Sequence, residues 1–231
     1  EDTAEQYQFT REAQDAFAIE SLTRSRNAIE DGTFATEIKA VTVSTHRGDT
    51  VVSTDEPPFN ANIEKIATLR PAFRKNGTVT AANSSSISDG AAALVLMKRS
   101  EAERCGHAPL AIIRSHATHS QEPNVFTTAP IGSIEKVLAK TGWSVGDVDL
   151  FEINEAFAVV TMAAMRDLDI PHDKVNVHGG ACALGHPVGA SGVRIIVTLL
   201  NALRKYDLTK GVASLCIGGG EATAVTIERL K

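Results

Sequence analysis

The sequence predicts an α/β fold: a layered mixed sheet in the second half of the chain and a partly irregular α+β module in the first. From about residue 88 onward, apolar and β-branched runs of strand length alternate with helical stretches, the pattern of strands covered by helices. Three of those runs lead into polar or glycine-rich turns, at Asn154-Glu155-Ala156-Phe157, Gly185-His186-Pro187 and Cys216-Ile217-Gly218-Gly219-Gly220. Before residue 88 the pattern is looser, with one long helix, a hairpin signal and a stretch of small and polar residues.

Thr3-Ala4-Glu5-Gln6 matches a capping box and predicts a helix start. A long helix is expected from about Thr10 to Glu30, with Ala13, Phe17, Ala28 and Ile29 near helical spacing and Asp31-Gly32 as its stop. Ile38 to Ser44 and Thr50 to Ser53 are β-branched runs broken by Arg47-Gly48-Asp49, a hairpin signal. Pro57-Pro58 and residues 61–83 read as irregular, so this half resembles a lid or binding module more than a self-sufficient core. Further on, strands are expected at residues 91–97, 110–116, 148–153, 174–178, 212–217 and 223–228. Helices are expected at 100–105, 133–141, 155–167 and 190–205, and the last two strands should run antiparallel across their glycines. The last helix starts with Ala190, Ser191, Gly192 and Val193, small or apolar all round, which predicts burial between layers.

With 231 residues there is ample chain for one large or two small domains. Apolar residues make up 43%, charged 22% and aromatic 5%, an ordinary globular composition with an aliphatic core. A net charge of -5 argues against a nucleic-acid surface, which needs clustered excess Lys and Arg. No apolar run approaches the roughly 18 residues of a membrane span, and the polar, acidic N-terminus is no signal peptide. The 3 cysteines, Cys105, Cys182 and Cys216, read as reduced thiols in a cytoplasmic setting. The chain opens at Glu1 without Met, which is read as an internal start.

An amide, an imidazole and a thiol at strand ends lie where an open α/β sheet builds its reactive crevice. Glycines after Cys216 let a ligand approach the backbone and leave N–H groups free for a developing oxyanion. The plainer reading of Cys216 is a buried, inert thiol. Pro187 fixes the turn beside His186, whose imidazole is either a reactive group or a turn-stabilising hydrogen-bonder. Asn154 reads either as a helix N-cap or, with Glu155, as a holder of a water or an oxyanion. His178, Cys182 and His186 recur every fourth residue, yet the intervening glycines and Pro187 break the helix that a metal site on one face would need. No metal is expected. Gly218-Gly219-Gly220 is no phosphate loop, because neither Lys-Ser/Thr nor a helix follows.

Asn154-Glu155-Ala156-Phe157, the run from Gly179 through Cys182 to Gly185-His186-Pro187, and Cys216-Ile217-Gly218-Gly219-Gly220 resemble the three C-terminal signatures of thiolases, in order and at family spacing. The likeness extends back through Leu69-Arg70-Pro71-Ala72-Phe73 and Gly77-Thr78-Val79-Thr80-Ala81 to the first helix, and is strongest to the acetyl-CoA acetyltransferase branch. It implies a thiolase-like layered fold with a mixed five-stranded sheet and a partly irregular α+β loop domain that holds coenzyme A. It divides the chain into a partial loop domain at 1–87, a return to the N-terminal thiolase domain at 88–108 and a C-terminal domain at 109–231. It also implies an acyltransferase of fatty acid metabolism, with acetyl-CoA or acyl-CoA thioesters as substrates, no cofactor of its own, and a homodimer or homotetramer.

Carried over by the resemblance, His186 takes the proton of the nucleophilic thiol and helps bind the thioester oxygen. Cys216 is the acid/base that removes the α-proton of the second acyl-CoA. Asn154 positions a water in the enolate oxyanion hole, and the Gly218 N–H serves the other hole. Leu69, Phe73 and Ser85 contact coenzyme A, and Phe157 lines the acyl and pantetheine pocket. Phe126 replaces the Met usual in the acetoacetyl-specific branch, and Pro58 replaces a basic residue, leaving Lys65, Arg70 or Lys75 for the phosphates. The second, nucleophilic cysteine is not matched: Cys105 lies in a polar helix end and Cys182 in the histidine loop. The chain is therefore expected to be the C-terminal part of a thiolase, inactive alone. The competing expectations are another condensing enzyme of the superfamily, against which Cys216 counts, and a non-catalytic acyl-CoA-binding relative.

Overall fold

The computed structural model describes residues 1–230. Its first layer is α2 (Arg11–Glu30), preceded by the short α1 (Asp2–Tyr7). Thr10 Oγ1 accepts from the Ala13 N–H at 3.2 Å at the start of α2, and Gly32, at φ 77°, turns the chain after its end. Thr3 does not cap α1. It lies inside the helix, buried against Thr127, while the Glu1 carboxylate accepts from the N–H groups of Thr78 and Val79, both at 3.0 Å. The hairpin β1 (Val41–Thr45) and β2 (Gly48–Val52) forms as expected, exposed along its length. Two one-turn helices, α3 (Pro57–Asn60) and α4 (Ile63–Ile66), punctuate the stretch expected to be irregular.

Residues 91–97 form no strand, contrary to expectation. Such an unbroken apolar run suits a strand with neighbours on both edges, and here it has none: Val95, Leu96 and Met97 are 86, 69 and 45% exposed. After α5 (Arg99–Arg104), a mixed sheet follows in the order β3 (Ala111–Ser120), β6 (Glu221–Arg229), β5 (Lys210–Ile217), β4 (Leu150–Ile153). β6 runs antiparallel to both neighbours, as expected for the last pair, and β4 runs parallel to β5.

The fifth strand expected at 174–178 is reduced to one parallel bridge between Val175 and Phe151. Asn176 explains why. Its φ of 47° turns the chain away, and its side-chain amide completes the ladder instead, accepting from the Ile153 N–H at 2.8 Å and donating to the Ile153 carbonyl at 2.8 Å.

Strand alternation sorts side chains to two faces. Phe151, Ile153, Val212 and Cys216 join the apolar cluster under α6 (Ala129–Thr141) and α7 (Ala158–Asp167). Leu150 and Ala213 join the cluster under α9 (Ser191–Lys205). α9 is not buried all round: Ile195, Leu199, Ala202 and Leu203 pack in the cluster against the sheet, Ser191 and Thr198 are buried too, and its other positions are half-buried or exposed. α8 (Ala181–Leu184) is a single turn. Among the described residues no helix is long and apolar enough to cross a membrane.

Candidate active site

Asn154 leaves the end of β4, and its N–H donates to the Ser214 carbonyl of β5 at 3.0 Å. Because β4 and β5 are parallel, with Ile153 opposite Ser214, Asn154 and Cys216 emerge together at the same edge of the sheet. Asn154 is not a helix N-cap: α7 starts only after Phe157 and has no side-chain cap. Its side chain is 1% exposed and its Oδ1 has no hydrogen-bond partner among the described residues. A buried amide oxygen without a partner is costly unless a water or ligand fills the place.

His186 comes from a different part of the chain. Its N–H donates to the Ser86 carbonyl at 2.9 Å, and Ile87 bridges to it, so residues 86–87 clamp the loop. The imidazole then spans two polar side chains: Nε2 lies 3.4 Å from Asn154 Nδ2, and Nδ1 lies 2.6 Å from Ser191 Oγ. Burial, helped by the Arg194 charge, holds the pKa of His186 below its ordinary value. It is therefore a neutral base at neutral pH.

The loop takes this path because two glycines permit it. A Cβ on Gly179, at φ 76°, would meet Ser25 Oγ at 2.1 Å and the Ser21 carbonyl at 2.3 Å. A Cβ on Gly180 would sit 2.4 Å from the Glu155 carboxyl carbon. Glu155 is turned away from Asn154 into this packing, accepting from Ser21 Oγ at 2.7 Å, Asn176 Nδ2 at 2.9 Å and the Cys182 N–H at 3.0 Å. These three bonds occupy the carboxylate and brace the loop. His178 and Cys182 also face elsewhere, toward Tyr206 and Glu155.

Cys216 is the penultimate residue of β5, paired with Ala222 and 7% exposed. Burial pushes its thiol pKa up to about 11. Beyond it, Gly218 is exposed and its N–H donates to no group among the described residues. The turn closes at Gly220, φ 94°, where a Cβ would lie 2.2 Å from the Gln121 carbonyl oxygen.

The expected substrate contacts divide. Leu69 lines a cavity of about 370 Å³ together with Lys65, Ser84, Ser86 and Cys182. Phe73, Phe126 and Phe157 line a second, of about 300 Å³, where Phe73 meets Phe157 edge-on at 5.9 Å. Ser85 lies between the two stretches, its hydroxyl donating to the Ala156 carbonyl at 3.0 Å. Phe126 and Phe157 also pack against the apolar cluster containing Cys216. Neither cavity is lined by Asn154, His186 or Cys216 themselves. Of the cations expected for phosphates, Lys65 alone lines a cavity, and Arg70 and Lys75 are exposed. Sequence reasoning missed Ser191 and Asn176. A serine opening a helix and an asparagine in a presumed strand carry no distinguishing signal.

A layered α/β sheet thus brings a thiol and an amide to one end of two parallel strands, with an imidazole bonded to the amide, a set of groups of the kind used in acyl and proton transfer. Comparison with known proteins narrows the class. Residues 107–229 match the model of the thiolase C-terminal domain and residues 1–100 that of the thiolase N-terminal domain. The chain is 50% identical over 232 residues to the cytosolic acetyl-CoA acetyltransferase of Mus musculus, covering 99% of this chain and 58% of that protein. It is 48% identical over 231 residues to the acetyl-CoA acetyltransferase of Escherichia coli K12, covering 100% and 59%. The crystal structure of the Bacillus anthracis acetyl-CoA acetyltransferase superposes with a TM-score of 0.97 at 45% identity, covering 99% of this chain and 58% of that one. The chain belongs to the thiolase family, in its acetyl-CoA acetyltransferase branch. It spans under three-fifths of the mouse relative's length, at 58%, and about three-fifths of the Escherichia coli one's, at 59%.

Proposed function

We propose that this chain supplies the acid/base part of a thiolase active site, acting on acetyl-CoA and 3-ketoacyl-CoA by Claisen condensation and thiolysis. The observation that carries this reading is the convergence of Asn154 and Cys216 at one sheet edge with His186 bonded to Asn154. A neutral imidazole takes the proton of a nucleophilic thiol, which attacks the first acyl thioester. Cys216, protonated at rest, gives its proton to the departing coenzyme A thiolate. The Cys216 thiolate so formed is a strong base because its conjugate acid is weak, which suits removal of the α-proton of the second acyl-CoA. The enolate carbon then attacks the carbonyl carbon of the acylated thiol, the acyl–sulfur bond breaks, and the released thiolate takes back its proton from the His186 imidazolium. The Gly218 N–H holds the tetrahedral oxyanion, and Asn154 holds a water against the enolate oxygen.

None of the three thiols fits the acyl acceptor. Cys105 is exposed on α5's end, Cys182 has its pKa pushed well above the ordinary range by burial beside Glu155, and Cys216 has the base's place. The acceptor therefore comes from outside these residues, in a domain returning at 88–108. Leu69, Phe73, Ser85, Phe126 and Phe157 contact the acyl-CoA in this reading. The enzyme is a cytoplasmic homodimer or homotetramer, completed by the nucleophile half.

Thiolysis of acetoacetyl-CoA tests this. The 231-residue chain alone stays at background. Co-expression with a nucleophile half restores turnover, and His186→Gln or Cys216→Ala lowers it by about 10²–10⁴-fold. Coenzyme A binding without turnover in the restored complex would favour the non-catalytic reading, and turnover by the chain alone would overturn the need for an outside acceptor.

A further inference from the structure

We infer that Ser191 is a positioning residue that fixes the tautomer of His186, holding the proton on Nδ1 and leaving the Nε2 lone pair toward Asn154. The inference rests on His186 being the base of the proposed reaction, but its evidence is local geometry.

Three contacts close the argument. Asn154 Nδ2 is an amide donor with no lone pair to offer, so the Nε2 that faces it at 3.4 Å is the accepting nitrogen of a neutral ring. The proton then sits on Nδ1 and is donated to Ser191 Oγ at 2.6 Å, the shorter contact. With its oxygen used as acceptor, the Ser191 hydroxyl is free to donate onward, and it does so to the Pro187 carbonyl at 3.1 Å. Each donor meets one acceptor along Nδ1–H, Oγ–H and carbonyl. The reversed arrangement, with the hydroxyl donating to Nδ1, would put the second proton on Nε2 against the Asn154 amide.

The fold holds Ser191 in this role. It is the first residue of α9, 0% exposed, and its N–H donates to the same Pro187 carbonyl at 2.9 Å. Pro187 follows His186, so the imidazole, the hydroxyl and the terminal acceptor belong to one rigid turn. When the base takes a proton on Nε2, the Nδ1–H is already in place and the serine–carbonyl chain faces the positive charge with aligned dipoles. A serine back-bonding within a helix start has a bland, structural reading as well. The tautomer separates the two readings.

Long-range ¹H–¹⁵N correlation of the histidine rings, with His186 assigned by loss of its signals in His186→Gln, reads the tautomer directly in the 231-residue chain. The wild type is expected to show the Nδ1–H form in about fivefold excess or more, corresponding to roughly 1 kcal/mol. Ser191→Ala removes the shorter contact and leaves only the 3.4 Å one with Asn154, so it should lower that excess severalfold, and Ser191→Thr should restore it. A wild-type ring protonated on Nε2 overturns the inference, as does a Ser191→Ala protein that unfolds at a lower temperature but keeps the full wild-type excess of the Nδ1–H form. If Ser191→Ala does not fold, Ser191→Cys, a weaker acceptor, takes its place with the same expected loss. Because no turnover is read, an Nδ1–H ring in an inactive restored complex would sink the catalytic reading while leaving the positioning role of Ser191 intact.

Discussion

At the scale of single residues, the three thiols are sorted by environment. Cys105 is exposed, Cys182 half-buried against Glu155, and Cys216 buried at the end of β5. Only a thiolate alkylates at a useful rate, and burial holds the Cys216 pKa at about 11. Iodoacetamide at neutral pH is therefore expected to label Cys105 first and leave Cys216 largely unmodified. Labelling of Cys216 should grow with pH about tenfold per unit toward its pKa. Peptide mass mapping reads this, and rapid labelling of Cys216 at pH 7 would show that its burial is misjudged. Cys216, His186 and Asn154 were legible in the sequence because glycine and proline punctuation marks where a chain must turn, and each sits at such a mark. Ser191 was not legible. Its significance depends on a 2.6 Å contact with Nδ1, which no spacing in the sequence encodes.

At the scale of elements, β4 presents its two faces to different chemistry. Phe151 and Ile153 enter the apolar core, whereas Glu152, 2% exposed, faces α9 with Arg194 Nη1 at 3.8 Å. That contact is too long for a hydrogen bond, so burial outweighs the arginine and the Glu152 pKa rises from 4.5 to about 8. Glu155 and Glu37 add to the upward push. A carboxyl whose folded pKa exceeds its unfolded one contributes stability that is present at low pH and lost as pH rises through the folded value. His178 has the opposite sign in another window. Its pKa falls from 6.5 to about 4, so its contribution is present above 6.5 and lost on acidification. Between pH 6.5 and 8 the Glu152 slope is the one that remains of these two, at most about 1.4 kcal/mol per pH unit. Thermal melts should show stability falling across that window and Glu152→Gln flattening the fall. An unchanged slope in the variant would mean that Glu152 is already ionised against Arg194. The strands misread from sequence share one physical cause. A β pattern states that a segment suits a sheet, but the ladder also requires a neighbour. Residues 174–178 lose theirs when Asn176 turns away and offers its side chain in place of backbone, and residues 91–97 find none within this chain.

At the scale of the whole molecule, that unpaired segment is only loosely tied to the rest of the structure. From residue 89 to 97 no main-chain hydrogen bond joins the backbone to any other described residue, while the C-terminal sheet is tied on both faces. Segments with few buried contacts and unpaired backbone open locally at little cost and are where proteases enter. Lys98 and Arg99, both exposed, stand at its C-terminal end. Trypsin is expected to cut the isolated chain early at Lys98 or Arg99, separating the helical and hairpin part from a fragment carrying Asn154, His186 and Cys216. If the nucleophile half of a thiolase supplies the missing strand neighbours, adding it should slow cleavage at these two bonds by tenfold or more, since a free-energy difference of about 1.4 kcal/mol in the opening step already gives that factor. It should leave cleavage at Arg47 in the exposed hairpin unaltered. Protection at Lys98 and Arg99 together with restored thiolysis would tie the two observations to one assembly. Restored thiolysis without protection would mean that residues 91–97 are not where the halves meet.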